Sequence, residues 1–176
     1  MKNKSALTVA TWFKSGLIPP PKFMSGMAGT YGSFFTLPLC WLVLWAGKLG
    51  LPSFHFFIIA VIFTLGIWSI PWAEIMLGPR IDWRGKTKTR DQNQIVIDEV
   101  FGMLVTCYPL QLIEFKSYWI ALTLTFVFFR FFDIVKVPPI QLFDDIKNEW
   151  GVMLDDFMAG FYAAICTGLT VWVFEL

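Results

Sequence analysis

Long stretches without Asp, Glu, Lys or Arg divide this sequence and restrict what it can fold into. Five of them are Phe23–Gly47, Leu49–Ala73, Val100–Ile113, Ser117–Phe129 and Phe157–Phe174. A helix that crosses a membrane needs about 20 mostly apolar residues. Leu49–Ala73 is long enough by itself, whereas Phe157–Phe174 is marginal. Within the first stretch, Phe34–Gly47 is too short alone and forms a span only with residues from its flank.

The two middle stretches reach spanning length only if they extend into charged flanks. Extension over Ile95–Ile113 and Ser117–Val135 brings acidic residues and an arginine into the outer layer of the membrane. Composition supports a membrane location, because 56% of the residues are hydrophobic and only 15% are charged, against about a quarter in soluble domains. We therefore predict an all-α, multi-helical integral membrane protein of about four or five apolar helices, forming a single domain over residues 1–176.

Several other protein classes fit this sequence poorly. A net charge of +1 argues against a nucleic-acid-binding surface. The N-terminal segment has no continuous apolar core of the signal-peptide type, so we expect it to be retained. Cys40, Cys107 and Cys166 lie far apart within apolar stretches, which is typical of small buried residues rather than of metal ligands or a disulfide framework.

Clusters of basic residues predict the orientation in the membrane. They are Lys2, Lys4, Lys14 and Lys22 before the first span, and Arg80, Arg84, Lys86, Lys88 and Arg90 after the second. A hairpin of two spans places both clusters on one side, which the positive-inside rule makes cytoplasmic. The acids that then face the cytoplasmic interface are Asp98, Glu99, Asp133, Asp144, Asp155 and Asp156. We therefore predict an acidic site on the cytoplasmic face.

Two helix limits can be read from the sequence. Val137 precedes Pro138, so the helix before it should end near Lys136. Asp155 and Asp156 are expected at the start of the last helix, where negative charge suits the helix dipole.

Two acid pairs occur in similar surroundings, in IVIDEVFGM and in GVMLDDFMAG. Asp98 stands four residues before Gly102, and Asp156 stands four residues before Gly160; Asp155 likewise precedes a small residue, Ala159. Residues four apart share one face of a helix. Each acid therefore has a small residue beside it, where another backbone or a ligand can approach.

The acid pairs have a structural and a functional interpretation. Each pair alone could cap a helix or mark an interfacial helix end. The two acid pairs together are harder to explain as caps or helix ends, because neighbouring carboxylates repel one another. Two like charges 4 Å apart repel by about 1 kcal/mol in water and by about 4 kcal/mol at an effective dielectric of 20. Several carboxylates at a membrane face therefore need a compensating cation, and ionisable groups there are functional by default.

The segment FRFFDIVKVPPI adds basic groups to the acids. Arg130 and Asp133 are three residues apart on one helical face, and Lys136 follows one turn later. This pattern is compatible with an ordinary ion pair plus a lysine reaching the interface. The functional alternative is a carboxylate beside fixed positive charges, suited to holding a phosphate next to a metal.

A Gly- and Ser-rich segment, SGMAGTYGS at Ser25–Ser33, precedes the first apolar helix. Glycines let backbone N–H groups turn toward an anion, and a following helix start favours anion binding. Such segments are more often simple turns, so this signal is weak by itself.

The types of ligand present restrict the chemistry. Oxygen ligands without His or Cys favour a hard cation, and Mg²⁺ fits best. The lone histidine, His55, lies in an apolar stretch, so a His-based phosphatase or a Ser-His-Asp site lacks its base. No cysteine has the arginine spacing of a thiol phosphatase, and zinc catalysis lacks ligands.

The segments IVIDEVFGM, FRFFDIVKVPPI and GVMLDDFMAG, in this order and at these separations, closely resemble the phosphatidylglycerophosphatase A family. AGTYGS resembles that family's N-terminal Gly-Thr-x-Gly-Ser motif, and the resemblance covers about Ser15 to Phe161. It implies a Mg²⁺-dependent phosphatase of bacterial inner membranes. The implied substrate is the lipid phosphatidylglycerophosphate, which loses its terminal phosphate to give phosphatidylglycerol in phospholipid biosynthesis.

Matched by position, the resemblance implies roles for particular residues. Metal-ligand or catalytic candidates are Asp98, Glu99, Asp133, Asp155 and Asp156; phosphate contacts are Arg130 and Lys136, with Thr30, Gly32 and Ser33 as phosphate-loop residues. The chain departs from the family pattern at Ala28, where Pro is usual, at Lys136–Val137 in place of Lys-Pro, and at NEWG in place of a Gly-rich segment. The acids themselves are all present.

Within this reading, Asp133 could serve as a general base or as a nucleophile. One alternative function is another Mg²⁺-dependent enzyme of lipid head groups, a CDP-alcohol phosphotransferase, but its Asp-Gly-x-x-Ala-Arg signature is absent. Another is an ion or proton carrier that uses carboxylates. Carriers more often place charges at mid-span or in broken helices, whereas these acids cluster at helix ends with Arg and Lys among them.

Overall fold

A computed structural model describes residues 3–19, 28–81, 87–88, 92–144, 146 and 148–175. The α-helices in these ranges are α1 (Lys4–Ala10), α2 (Ala28–Lys48), α3 (Pro52–Leu77), α4 (Ile97–Cys107), α5 (Tyr118–Val135), α6 (Ile140–Asp144) and α7 (Glu149–Phe174). Short 3₁₀ turns cover Ser15–Leu17 and Tyr108–Gln111, and an antiparallel pair of two-residue strands joins β1 (Arg80–Ile81) to β2 (Thr87–Lys88). The predicted all-α class is confirmed.

Four helices of the described chain, α2, α3, α5 and α7, are long and apolar enough to cross a membrane. This agrees with the predicted number of spans. The segment Ile95–Ile113 does not form another one, because α4 has 11 residues and rises only about 16 Å, against about 30 Å for the hydrocarbon layer. Nearly all residues of α4 are buried, so it is the central packing element of the bundle.

Helices α4 and α7 pack closely because two glycines meet where they cross. A Cβ atom on Gly160 would lie 2.6 Å from the carbonyl oxygen of Gly102, and one on Gly102 would lie 2.9 Å from that of Asp156. Thr106 Oγ1 lies 2.8 Å from the Gly102 oxygen and 3.3 Å from the Gly160 oxygen, so it can donate to both helices. The small residues that follow the acid pairs are thus where two backbones approach, as predicted.

The two predicted helix limits have different outcomes. Helix α5 ends at Val135, and Lys136 follows in the left-handed conformation, which confirms the first. The second is wrong: α7 begins at Glu149, so Asp155 and Asp156 lie six and seven residues inside it. Asn148 caps this helix instead, because its side-chain oxygen accepts a hydrogen bond from the Gly151 N–H at 3.0 Å. The Asp155–Asp156 pair therefore does not cap α7.

The antiparallel arrangement brings particular helix ends together. The first turns of α2 and α4, the early part of α7 and the last turns of α5 meet at one end of the bundle. At the opposite end, the Lys48 ammonium lies 4.0 Å from the ring centre of Phe115 and 4.6 Å from that of Tyr118. The predicted site residues lie at the first of these ends.

Candidate active site

Three carboxylates from two helices form the centre of the site. Asp98 and Glu99 lie in the first turn of α4, and Asp156 comes from α7. One oxygen from each of the three lies within 4.8 Å of the others. Asp98 is 7% exposed and Asp156 is 4% exposed, so the group is held inside the protein. We refer to Asp98, Glu99 and Asp156 as the carboxylate cluster.

Among the described residues, negative charge predominates around Glu99. Burial, followed by the repulsion of Asp156 and Asp133, raises the pKa of Glu99 to about 8, although the Asp98 hydrogen bond and Arg130 act in the opposite direction. A carboxyl group in such surroundings keeps its proton unless a cation compensates its charge. Within the described part of the chain, the surroundings of the cluster therefore favour a protonated Glu99.

Two oxygens of the cluster are unsatisfied. Glu99 Oε2 and Asp156 Oδ2 are buried and have no hydrogen-bond partner among the described residues. An unsatisfied buried polar group costs about 1–3 kcal/mol, and more when charged. Acidic oxygens that converge in this way are the ligands preferred by hard divalent cations. The donor set therefore fits the predicted Mg²⁺.

The other two predicted acids lie beside the cluster, each paired with a base. Arg130 Nη1 forms an ion pair with Asp133 Oδ2. Lys136 Nζ lies 2.6 Å from Asp155 Oδ2. The charges of Asp98, Asp133, Asp155 and Lys136 all act on Asp156. The structure thus brings together all five predicted acids and both predicted bases, but it separates the cluster from the two ion-paired carboxylates.

The predicted phosphate loop differs from the expectation. Ser25–Met27 lie outside the described residues, and Thr30, Gly32 and Ser33 lie inside α2 rather than in a loop. Ser33 is fully buried, and its hydroxyl donates to the Gly29 carbonyl at 2.9 Å. A Cβ atom on Gly32 would lie 2.6 Å from Val96 Cβ. Helical packing against the segment before Asp98 is therefore the observed environment of Gly32, and a phosphate-binding role for these three residues stays a prediction.

Gly29 is a site residue that sequence reasoning did not select. A Cβ atom there would collide with Glu99 Oε1 and would lie 3.1 Å from Arg130 Nη1. The absence of a side chain at Gly29 lets the first turn of α2 close over the cluster. The signal was present in the Gly-x-x-Gly spacing of Gly29 and Gly32 in AGTYGS, which places both glycines on the packed side of a helix.

The fold and the site together define a helical membrane protein with a buried carboxylate centre flanked by positively charged side chains. The profile of the family described as phosphatidylglycerophosphatase A matches residues 8–171. The chain belongs to this family, and it is therefore a phosphatase of the membrane-embedded kind. Membership of this family argues against the two alternative functions, a CDP-alcohol phosphotransferase and a carboxylate-based carrier.

Two of the similar proteins carry the name of this family. The chain is 32% identical over 159 residues to "Phosphatidylglycerophosphatase A" of Haemophilus influenzae, covering 89% of this chain and 83% of that protein. It is 31% identical over 179 residues to a "Putative phosphatidylinositol-3-phosphatase" of Bacteroides thetaiotaomicron, covering 98% and 99% of the two chains. A third relative, from Escherichia coli, shares the first name and is 37% identical over 75 residues, 42% of this chain and 41% of that protein. No solved structure matches the chain.

Proposed function

We propose that this protein hydrolyses phosphatidylglycerophosphate to phosphatidylglycerol and phosphate, with Mg²⁺ as cofactor, at the cytoplasmic face of a bacterial inner membrane. The observation that carries the proposal is the carboxylate cluster, with its two unsatisfied oxygens, beside the Arg130–Asp133 and Lys136–Asp155 pairs. Family membership supports the reaction class. The sidedness rests on the positive-inside rule, applied to the basic residues before α2 and after α3.

Asp98, Glu99 and Asp156 would hold the cation. Bound there, Mg²⁺ supplies positive charge for the phosphate oxygens and polarises a water molecule. Five acids were predicted as ligands, and the geometry favours these three, because one oxygen from each lies within 4.8 Å of the others. Asp155 would then position Lys136, and Asp133, held by Arg130, is left for the chemical step.

Arg130 and Lys136 would bind the phosphate of the substrate. Arg130 Nε is buried and has no hydrogen-bond partner in the described part of the chain, so the guanidinium keeps a donor for a phosphate oxygen. The Lys136 side chain is 28% exposed, which leaves it accessible to an entering head group. Positive groups fixed in a buried site stabilise the charge that develops during phosphoryl transfer.

Asp133 is the carboxylate we assign to the chemical step. It lies close enough to Glu99 and Asp156 for its charge to act on both, while Arg130 holds its side chain in place. As a general base it takes a proton from the water that attacks phosphorus, and the lipid alcohol leaves. As a nucleophile it displaces the lipid alcohol to form an aspartyl phosphate, which water then hydrolyses to free phosphate. Acid quenching with ³²P-labelled substrate separates these two routes, because only the second leaves radioactive protein.

A second substrate is favoured by one comparison. The Bacteroides relative, whose printed name is a putative phosphatidylinositol-3-phosphatase, aligns over nearly the whole of both chains. Phosphatidylinositol 3-phosphate, like phosphatidylglycerophosphate, presents a phosphate monoester on a lipid head group. The carboxylate cluster and its bases would serve either lipid, so both belong in the same assay.

The test is phosphate release by the protein purified in detergent, from each of the two lipids, with Mg²⁺ and with EDTA. Asp98→Asn should lower the rate by at least about a hundredfold. Glu114→Gln, at an exposed acid in the turn before α5, is the matched control and should leave the rate unchanged. Release that persists in EDTA, or in the Asp98→Asn protein, would contradict the proposed cofactor and site.

A further inference from the structure

An apolar groove runs along the outer side of α7. It begins near the polar end of the molecule, at Phe157, and extends toward the opposite end. Its volume is about 530 Å³, and it lies between α3, α7 and the end of α4 with the following turn. The side chains along α7 that line it are Phe157, Phe161, Ala164, Ile165 and Leu169, together with Gly168. The groove faces the layer of the bilayer in which lipid tails lie, because α3 and α7 are both spanning helices.

One end of this groove adjoins the carboxylate cluster. Phe157 follows Asp156 directly in α7, and its ring stacks on Phe101 of α4 with 5.9 Å between ring centres. From Phe157 to Leu169 the helix rises about 18 Å. The groove therefore starts at the depth of the proposed phosphate site and extends well into the hydrocarbon layer.

The shape of the groove depends on small residues in its floor. Ala164 is 7% exposed, and a Cβ atom on Gly168 would lie only 3.1 Å from Pro109 Cβ. Its rim is open, since Phe56, Phe161 and Leu169 are each about half exposed. Small residues below and large exposed side chains on both sides make a channel that a single flexible chain can fill.

We propose that this groove binds one acyl chain of the lipid whose phosphate occupies the site, so that the enzyme recognises a phospholipid by head group and tail together. The proposal rests on the proposed function and adds a binding site for the tail. A free phosphate ester without chains would lose these contacts. An acyl chain is in an apolar phase both in the groove and outside it, so the groove binds the chain through packing contacts rather than by removing it from water. We expect a ring that fills the groove to remove these contacts and weaken binding about tenfold.

The experiment compares chain lengths in variants that fill the groove. Ala164→Phe and, from the other wall, Val105→Phe should lower kcat/KM about tenfold for dioleoyl phosphatidylglycerophosphate and about twofold or less for the dioctanoyl lipid. Cys166→Phe adds the same ring two residues from Ala164, outside the groove lining, and should change neither substrate. Thermal unfolding identifies any variant that does not fold. Equal losses for long and short chains in both groove variants would overturn the proposal.

A second measurement keeps the groove separate from the reaction. A phosphatidylglycerophosphate that carries a photoreactive diazirine in the middle of one acyl chain is crosslinked to the Asp98→Asn protein. Labels should map to Phe161–Leu169 and the facing part of α3, and Ala164→Phe should remove them. Labelling spread evenly over the spanning helices would overturn the groove. Labelling as expected, with no phosphate released by the unsubstituted enzyme, would refute the proposed reaction alone.

Discussion

The two ends of the helix bundle bury polar groups in opposite ways. At the end near the start of α3, His55 is fully buried, and both of its ring nitrogens have a partner: the Leu104 carbonyl lies 2.9 Å from Nε2, and the Gln111 side-chain nitrogen lies 3.2 Å from Nδ1. At the other end, the carboxylate cluster leaves Glu99 Oε2 and Asp156 Oδ2 unsatisfied within the described chain. Both ends therefore bury polar side chains, but within the described chain only the His55 end provides hydrogen-bond partners for all the atoms named here.

The His55 network has the properties of a structural element. Gln111 also donates to the Val43 carbonyl at 2.8 Å, so this group ties α2, α3 and the end of α4 together. Its geometry suits a neutral imidazole, with Nε2–H donating to Leu104 and Nδ1 accepting from Gln111. Because both ring nitrogens of His55 already have partners, this network stabilises the fold and leaves neither nitrogen for a ligand. The carboxylate cluster, with its two oxygens unsatisfied within the described chain, has capacity for a ligand, at a cost in stability.

The largest expected effect comes from removing one charge from the cluster. Asp156→Asn should lower phosphate release at least about a hundredfold, whereas the unfolding temperature in EDTA should stay the same or rise, because one source of like-charge repulsion is lost. Thermal unfolding in detergent, beside the activity assay, measures both. An Asp156→Asn protein that is active but melts several degrees lower would show that Asp156 serves stability rather than catalysis. It would contradict the proposed difference between the two ends.

An intermediate effect is expected at the His55 end, with the opposite pattern. His55→Leu leaves the buried Leu104 carbonyl with only the weaker Cys107 thiol as a donor, at 3.4 Å, which should lower the free energy of unfolding by about 1–3 kcal/mol. Activity per folded molecule should remain within about threefold of the unsubstituted enzyme, because His55 lies outside the site. Thr64→Val, at an exposed position of the same helix, is the control and should change stability by less than about 0.5 kcal/mol.

The smallest effect concerns pH. The pKa of Glu99 is raised from 4.5 to about 8 by burial and neighbouring acids, so between these values the folded protein holds a proton that the unfolded chain releases. Without a cation, stability should therefore fall as pH rises from about 5 to 8. Thermal unfolding in EDTA across this range tests it. Glu99→Gln should flatten this dependence, and an identical profile in both proteins would show that Glu99 is not its source.

Local signals predicted some boundaries and failed at others for identifiable reasons. Pro138 correctly predicted the end of α5, because proline restricts the residue before it whatever the tertiary context. The acids Asp155 and Asp156 do not mark the start of α7, because the Asn148 side chain caps this helix about two turns earlier. AGTYGS was interpreted as a loop, yet its glycines serve helix packing against Glu99 and Val96, a requirement set by residues more than 60 positions away.

The uncharged stretches of the sequence are sufficient to predict the membrane-spanning helices. Local spacing also places Asp98, Arg130 and Asp133 near helix ends. Only the tertiary structure decided which carboxylates converge: Asp98, Glu99 and Asp156 share one centre, while Asp133 and Asp155 each face a base. The physical reason is the close crossing of α4 and α7 at Gly102 and Gly160. That contact sets the distance between acids far apart in the chain, and no local spacing encodes it.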